Sequence, residues 1–135
     1  MVGFGSRGVG LLGPILDFPD MPRLTLIVDP NVERARCYLA RFVGQGRLTA
    51  EEASSVRFAE DIKEVRPGEA DALFLTASER VRTEVFPRAV ATGAHIFMEK
   101  AVSHSLDGCR SVQTAARGAA DGQCIFMGFN LRHLP

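Results

Sequence analysis

Gly3-Phe4-Gly5-Ser6-Arg7-Gly8, next to the N-terminus, is the stretch on which the fold turns. In the pattern G-x-G-x-x-G the first glycine permits a tight turn, the second lets a pyrophosphate approach the backbone, and the third lets a helix pack closely on a strand. A helix beginning here aims its free N–H groups at the phosphates. The pattern alone is weak, because Gly8-Val9-Gly10-Leu11-Leu12-Gly13 satisfies it too. The first register leaves a helix of ordinary length before the next apolar run, whereas the second shortens it and puts a flexible glycine run where a strand belongs. Pro14 argues the other way: it lies inside the helix of the first register and should kink it, but would sit in the opening turn of the second. The first register is preferred.

Outward from the loop, apolar runs of strand length recur at Leu24-Thr25-Leu26-Ile27-Val28, Ala72-Leu73-Phe74-Leu75, His95-Ile96-Phe97-Met98 and Cys124-Ile125-Phe126-Met127. They are continuous rather than alternating, as strands covered on both faces are. Helices are predicted between them at 6–18, 31–43, 79–92 and 104–119. The turn Asp29-Pro30-Asn31 introduces the second, and Gly93 follows the third as a C-cap. The weaker stretch 44–70 is assigned a short strand at Phe58 and a helix from Glu60 to Val65. Strand alternating with helix at this spacing implies right-handed βαβ units. The fold class is therefore α/β, a Rossmann-type doubly wound parallel sheet, with a single domain filling residues 1–135. The first strand of such a unit usually has about five apolar residues before the first glycine. Only Met1 and Val2 stand there, so that strand is expected to be nearly absent. At roughly 1.5–3 kcal/mol per buried aliphatic side chain, the loss is about 5–12 kcal/mol against a domain stability of about 5–15 kcal/mol, which implies a weakly stable chain.

Sixteen basic residues balance sixteen acidic ones, and neither sign forms a block, so no nucleic-acid or membrane-surface partner is expected. No apolar window approaches the roughly eighteen residues of a spanning helix. The N-terminus lacks the basic, apolar and small-residue succession of a secretory signal, which makes a cytoplasmic location the default. Cys37, Cys109 and Cys124 are odd in number and lack C-x-x-C spacing, so packed free thiols are expected rather than a disulfide framework or metal site.

Asp29 follows the run at 24–28 and lies 21 residues beyond Gly8. There an acid can hydrogen-bond the adenosine ribose hydroxyls and repel a 2′-phosphate. With the loop, this points to NAD as the cofactor. The same tripeptide is equally a helix N-cap turn, in which Asp is common whatever the function. Arg34 either accepts a 2′-phosphate and admits NADP or is a solvated surface arginine, the latter being preferred.

Gly93-Ala94-His95-Ile96-Phe97-Met98-Glu99-Lys100 resembles the glucose-fructose oxidoreductase, inositol dehydrogenase and MocA family, whose fifth strand typically runs from A-G-K-H-V into E-K-P. Further matches are the glycine loop, the Asp-Pro after strand two, Asp71-Ala72-Leu73-Phe74-Leu75-Thr76 against D-x-V-x-I-x-T-P, and Gly128-Phe129-Asn130-Leu131-Arg132 against G-F-x-x-R. The resemblance implies an NAD(P)-dependent oxidoreductase that transfers hydride at a hydroxyl-bearing carbon of a sugar, cyclitol or related small molecule. It implies that Gly5, Ser6 and Arg7 cradle the pyrophosphate in a loop completed by Gly3, Phe4 and Gly8. It places Asp29 on the adenosine ribose, Thr76 and Ala77 beside the nicotinamide, Glu99 and Lys100 at the reaction centre, and Asn130 against cofactor or substrate. Lys100 is the expected catalytic residue: an ammonium beside the substrate oxygen stabilises alkoxide charge, and burial can tune it for proton transfer. The plainer alternative makes Glu99-Lys100 a surface pair. His95 and His104 are expected to be structural.

Three positions depart from the family pattern: Ala77 replaces the proline of T-P, Val81 lies near a position often held by histidine, and Ala101 replaces the proline of E-K-P. Losing the proline after Lys100 removes a local constraint on the backbone that places the ammonium. Family members continue into a second α/β domain that carries the substrate pocket, so the expectation is a domain truncated at both ends. Two alternatives stand beside the leading one. One is a truncated or divergent non-catalytic dinucleotide-binding or interaction module. The other is an unrelated Rossmann protein such as a methyltransferase, against which the Glu99-Lys100 context argues. The expected partners are a nicotinamide dinucleotide and, in a longer form, a polyol or sugar; an oligomer is compatible with the sequence.

Overall fold

The computed structural model describes residues 1–17 and 23–129. Among them the elements run α1 (Ser6–Leu16), β1 (Leu26–Val28), α2 (Val32–Gly44), α3 (Ala50–Ser55), β2 (Arg57–Ala59), β3 (Ala72–Leu75), α4 (Glu79–Val90), β4 (His95–Glu99), α5 (Leu106–Arg117) and β5 (Ile125–Gly128). β1 pairs with β2, and β3, β4 and β5 pair in that order, all parallel. Val2 joins the two groups by parallel bridges to Val28 and Leu75. The order β2-β1-Val2-β3-β4-β5 is that of a doubly wound dinucleotide-binding sheet with its central strand shrunk to one residue. Val2 takes the place of that strand, and its backbone is fully used. The Val2 N–H donates to Phe74 O at 2.8 Å and its carbonyl accepts from Thr76 N at 2.8 Å, while Gly3 N–H donates to Val28 O at 2.8 Å.

Side-chain alternation along the strands feeds two cores on opposite faces of the sheet. Leu26, Val28, Leu73, Leu75, Ile96 and Met98 pack with Phe86, Ala89 and Val90 of α4 and Val112 of α5. Ile27, with Phe58 and Phe74 beside it, packs with Phe4, with Leu12 of α1 and with Ala35, Leu39 and Phe42 of α2. The expectation that every strand is covered on both faces fails at β5. Phe74, Phe97 and Phe126 stack across β3, β4 and β5 with centroids 5.2 and 5.8 Å apart, and Phe126 is 49% exposed. The α1–α2 layer lies over the other half of the sheet.

The four helices read from periodicity are present with ends shifted by at most two residues. Pro14 lies inside α1, two residues before its end at Leu16. Two corrections fall in the weak stretch. A helix, α3, was not foreseen; a capping box between Thr49 and Glu52 opens it, and T-x-x-E is a signal the sequence carries. In place of the helix expected from Glu60 to Val65 there is a single 3-10 turn, Ile62–Glu64, opened by Asp61. Cys37 and Cys124 are exposed rather than packed, since Cys37 lies on α2 away from its buried residues Ala35, Leu39 and Phe42.

Candidate functional site

The loop after Val2 adopts the first of the two glycine registers. Gly3 has φ +83°, and a Cβ there would stand 2.5 Å from the Cα and N of Ala77. A Cβ on Gly8 would stand 2.6 Å from the Gly3 carbonyl oxygen and 2.9 Å from Thr76 Oγ1. Around Gly5 nothing lies within 4 Å of that position. One glycine therefore makes the turn, one lets α1 sit against the strand ends, and the middle one faces open space. In the competing register all three glycines fall inside α1 and make no turn. Gly5 is the N-cap of α1, no side chain caps that end, and no acidic residue occupies the first turn. The first-turn N–H groups and the positive end of the helix dipole are left to an anion.

Asp29 is buried and tied to this loop. Its Oδ2 accepts from Phe4 N–H at 2.8 Å and its Oδ1 from Asn31 N–H at 2.9 Å. The tripeptide is the N-cap turn of α2, with Asn31 as the cap, its side chain accepting from Arg34 N–H at 2.9 Å; Asp29 serves that turn and the glycine loop at once. Arg34 is the exposed surface arginine that was preferred, and its Nη2 also reaches both Asp29 oxygens, at 2.9 and 3.2 Å. Beside this pair opens a cleft of about 650 Å³ lined in part by Pro30, Asn31, Arg36, Phe58 and Glu60. Within it the Arg36 guanidinium lies 4.2 Å from the Phe58 ring centroid. A planar base would find room and a stacking surface there.

Across the switch point of the sheet, the ends of β3 and β4 complete the crevice. The Thr76 hydroxyl donates to the Gly3 carbonyl, and Ala77 N–H donates to Val2 O at 3.1 Å, so the chain after β3 is fastened to the loop. Arg7 Nη2 and the buried Glu99 Oε1 lie 2.5 Å apart, closing the crevice from α1 to the end of β4. Arg82 of α4 donates to the carbonyls of Ala77, Lys100 and Ala101.

A family model described as an oxidoreductase family with an NAD-binding Rossmann fold matches residues 1–129. The chain belongs to the Gfo/Idh/MocA family. No curated protein matches it. Among solved structures, a Gfo/Idh/MocA family oxidoreductase from Vibrio cholerae is similar with a TM-score of 0.70 at 22% identity, over 100% of this chain and 39% of that one. The yvaA structure from Bacillus subtilis is similar with a TM-score of 0.68 at 17% identity, over 93% of this chain and 33% of its own. A variant of a 3-ketoreductase from Actinomadura kijaniata, in complex with TDP-benzene and NADP, is similar with a TM-score of 0.62 at 16% identity, over 87% of this chain and 34% of that one. At these identities the structures support the fold, and the chain spans about a third of their length.

With the Gfo/Idh/MocA family established, the expected site residues can be placed. Gly3 and Gly8 bring the loop against Ala77 and Thr76, Arg7 reaches Glu99, Gly5 and Ser6 open α1 in the same loop, and Asp29 is fastened to it through Phe4 N–H. The Phe4 ring is wholly buried in the core on the α1 side, so only its backbone belongs to the site. Lys100 is exposed, and the burial expected to tune its ammonium is not supplied by the described residues. Asn130 lies outside the described residues. His95 is structural, its Nδ1 accepting from Cys124 N–H at 3.0 Å between β4 and β5; His104 is exposed, 4.0 Å from Glu79. Two participants were missed as site elements: Arg34 as a partner of Asp29, and Arg82. No helix among the described residues is long and apolar enough to cross a membrane.

Proposed function

We propose that this NAD-binding Rossmann domain serves an oxidoreductase that moves hydride between NAD(P) and a hydroxyl-bearing carbon of a sugar, cyclitol or related small molecule. The observation that carries this is the glycine loop: Gly5 opens onto free space at an uncapped helix start, with the buried Asp29 fastened to the same loop. A cradle that a Cβ would fill, next to a fixed carboxylate, suits a pyrophosphate followed by a ribose. Ser6 and Arg7 N–H groups would hold the phosphates, Asp29 the adenosine ribose, and the cleft by Phe58 the base. Arg34 pairs with Asp29 and offsets its charge, which favours acceptance of NADP beside NAD. The bound nicotinamide supplies the hydride acceptor. Lys100 would orient the substrate hydroxyl and stabilise the charge that grows on its oxygen as its proton passes to water. The second reading, a non-catalytic dinucleotide-binding module, is favoured by the exposed Lys100 and by Ala101 in place of proline.

Fluorescence titration of the chain with NADH and NADPH tests the cofactor assignment. Saturable binding is expected in the wild type, with large losses in Gly5→Val and Asp29→Asn. Asp29→Asn removes the charge but also turns one of the two acceptor oxygens into a donor, so a thermal melt beside the titration separates lost charge from a loosened loop. An absence of saturable binding to either nucleotide refutes the assignment. Binding without hydride transfer across a panel of polyols selects the non-catalytic module.

A further inference from the structure

Arg82 stands in the first turn of α4 with 4% of its surface exposed. Its Nη1 donates to Ala77 O at 2.9 Å, and its Nη2 donates to Lys100 O and to Ala101 O, each at 2.9 Å. One guanidinium thus ties the backbone after β3 to the backbone after β4. The two tied segments hold the alanines, 77 and 101, that stand where the family pattern has proline. A proline fixes its own φ from within the chain, and alanine does not. A planar guanidinium fork fixes carbonyl positions from outside.

The arrangement is costly. Among the described residues Arg82 Nε is a buried side-chain nitrogen with no hydrogen-bond partner. Burial pulls the guanidinium below its ordinary value, against the opposing carboxylates of Glu79 and Glu99. A buried apolar side chain would carry neither cost. We propose that Arg82 is a positioning residue for the nicotinamide end of the site, holding Ala77 and Lys100 in place where this chain lacks both prolines. The proposal rests on the dinucleotide-binding reading above.

The test compares NADH with ADP-ribose, which carries the adenosine and pyrophosphate but no nicotinamide, on the full chain. In Arg82→Met, NADH affinity is expected to fall about tenfold while ADP-ribose affinity stays within about twofold, the scale of losing charge-assisted hydrogen bonds at one end only. Arg82→Lys keeps the charge without the fork and should show the same split at smaller size, which guards against a Met variant that fails to fold. Adding Ala101→Pro to either variant should recover most of the NADH deficit. Parallel loss of both ligands, or an Ala101→Pro that leaves the deficit in place, overturns the positioning role. A wild type that binds NADH no better than ADP-ribose overturns it too, while leaving dinucleotide binding intact. A wild type that binds neither ligand removes that reading and this proposal together.

Discussion

Gly5→Ala should leave the fold standing and empty the site. Gly5 lies at φ −87° with nothing within 4 Å of the added methyl, so an alanine there is neither strained nor crowded. Alanine is the poorer N-cap, by roughly 0.5–1 kcal/mol, and it reduces the entropy of the unfolded chain by roughly 0.4–1 kcal/mol in the stabilising direction. The two nearly cancel, and the thermal midpoint should move by less than about 3 °C. The same methyl stands where a pyrophosphate must come to meet the first-turn N–H groups. Losing two charge-assisted hydrogen bonds, at about 1.5–3 kcal/mol each, weakens NADH by roughly a hundredfold to ten-thousandfold. Gly3→Ala inverts this outcome. At φ +83° and 2.5 Å from the Ala77 backbone, its methyl adds left-handed strain of about 1–2 kcal/mol to a collision that only backbone movement relieves. Circular-dichroism melts of both variants beside NADH titrations give the comparison. A Gly5→Ala protein that binds NADH as the wild type does, or that melts as low as Gly3→Ala, refutes the assignment of Gly5 as the phosphate-facing position.

Arg34→Ala should weaken NADPH about tenfold and NADH by less than about threefold, since only the former offers a 2′-phosphate to the guanidinium; equal losses on titrating both would exclude Arg34 as a specificity residue. In the chain beginning at Met1, the α-amino group donates to Leu26 O at 2.7 Å, and burial lowers its pKa to about 5. The unfolded chain keeps that proton up to about pH 8 while the folded chain releases it above about pH 5. Stability should therefore rise with pH across that window by up to a few kcal/mol, and a flat urea midpoint between pH 5 and 8 would contradict a buried neutral amine. Four apolar residues added before Met1 should enter the cleft of about 320 Å³ lined in part by Met1, Leu12, Leu24, Leu26 and Leu73. They should raise the thermal midpoint by about 10 °C or more; an unchanged midpoint would show that the short first strand costs little.

The strands and the long helices were legible because their signals are local: unbroken apolar runs, and turn residues at their borders. The site was legible where it too is local, in Gly3 to Gly8 and in Asp29. Its remaining parts come from contacts across long stretches of sequence. Asp29 cannot be told from the cap itself until Asn31 is seen to do the capping, and the pairing of the surface Arg34 with that carboxylate shows only when its Nη2 is found there. Arg82 lies one position past the departure at Val81, and nothing in its neighbours announces that its partners are carbonyls 5, 18 and 19 residues away. The α3 helix is different in kind, since its capping box is written in Thr49-Ala50-Glu51-Glu52 and was passed over for want of an apolar face.

Val2 gives the sheet a seam one residue wide. On one side lie β1 and β2, on the other β3, β4 and β5, and the glycine turn begins at the very next residue. A dinucleotide bound as proposed would rest its adenosine half on the first group and its nicotinamide half on the second. The ligand would then act as a rivet across the join at Val2. Slow amide exchange at Val28 and Thr76, the residues flanking that joint, would track how often the two halves breathe apart and how firmly an occupied crevice keeps them together.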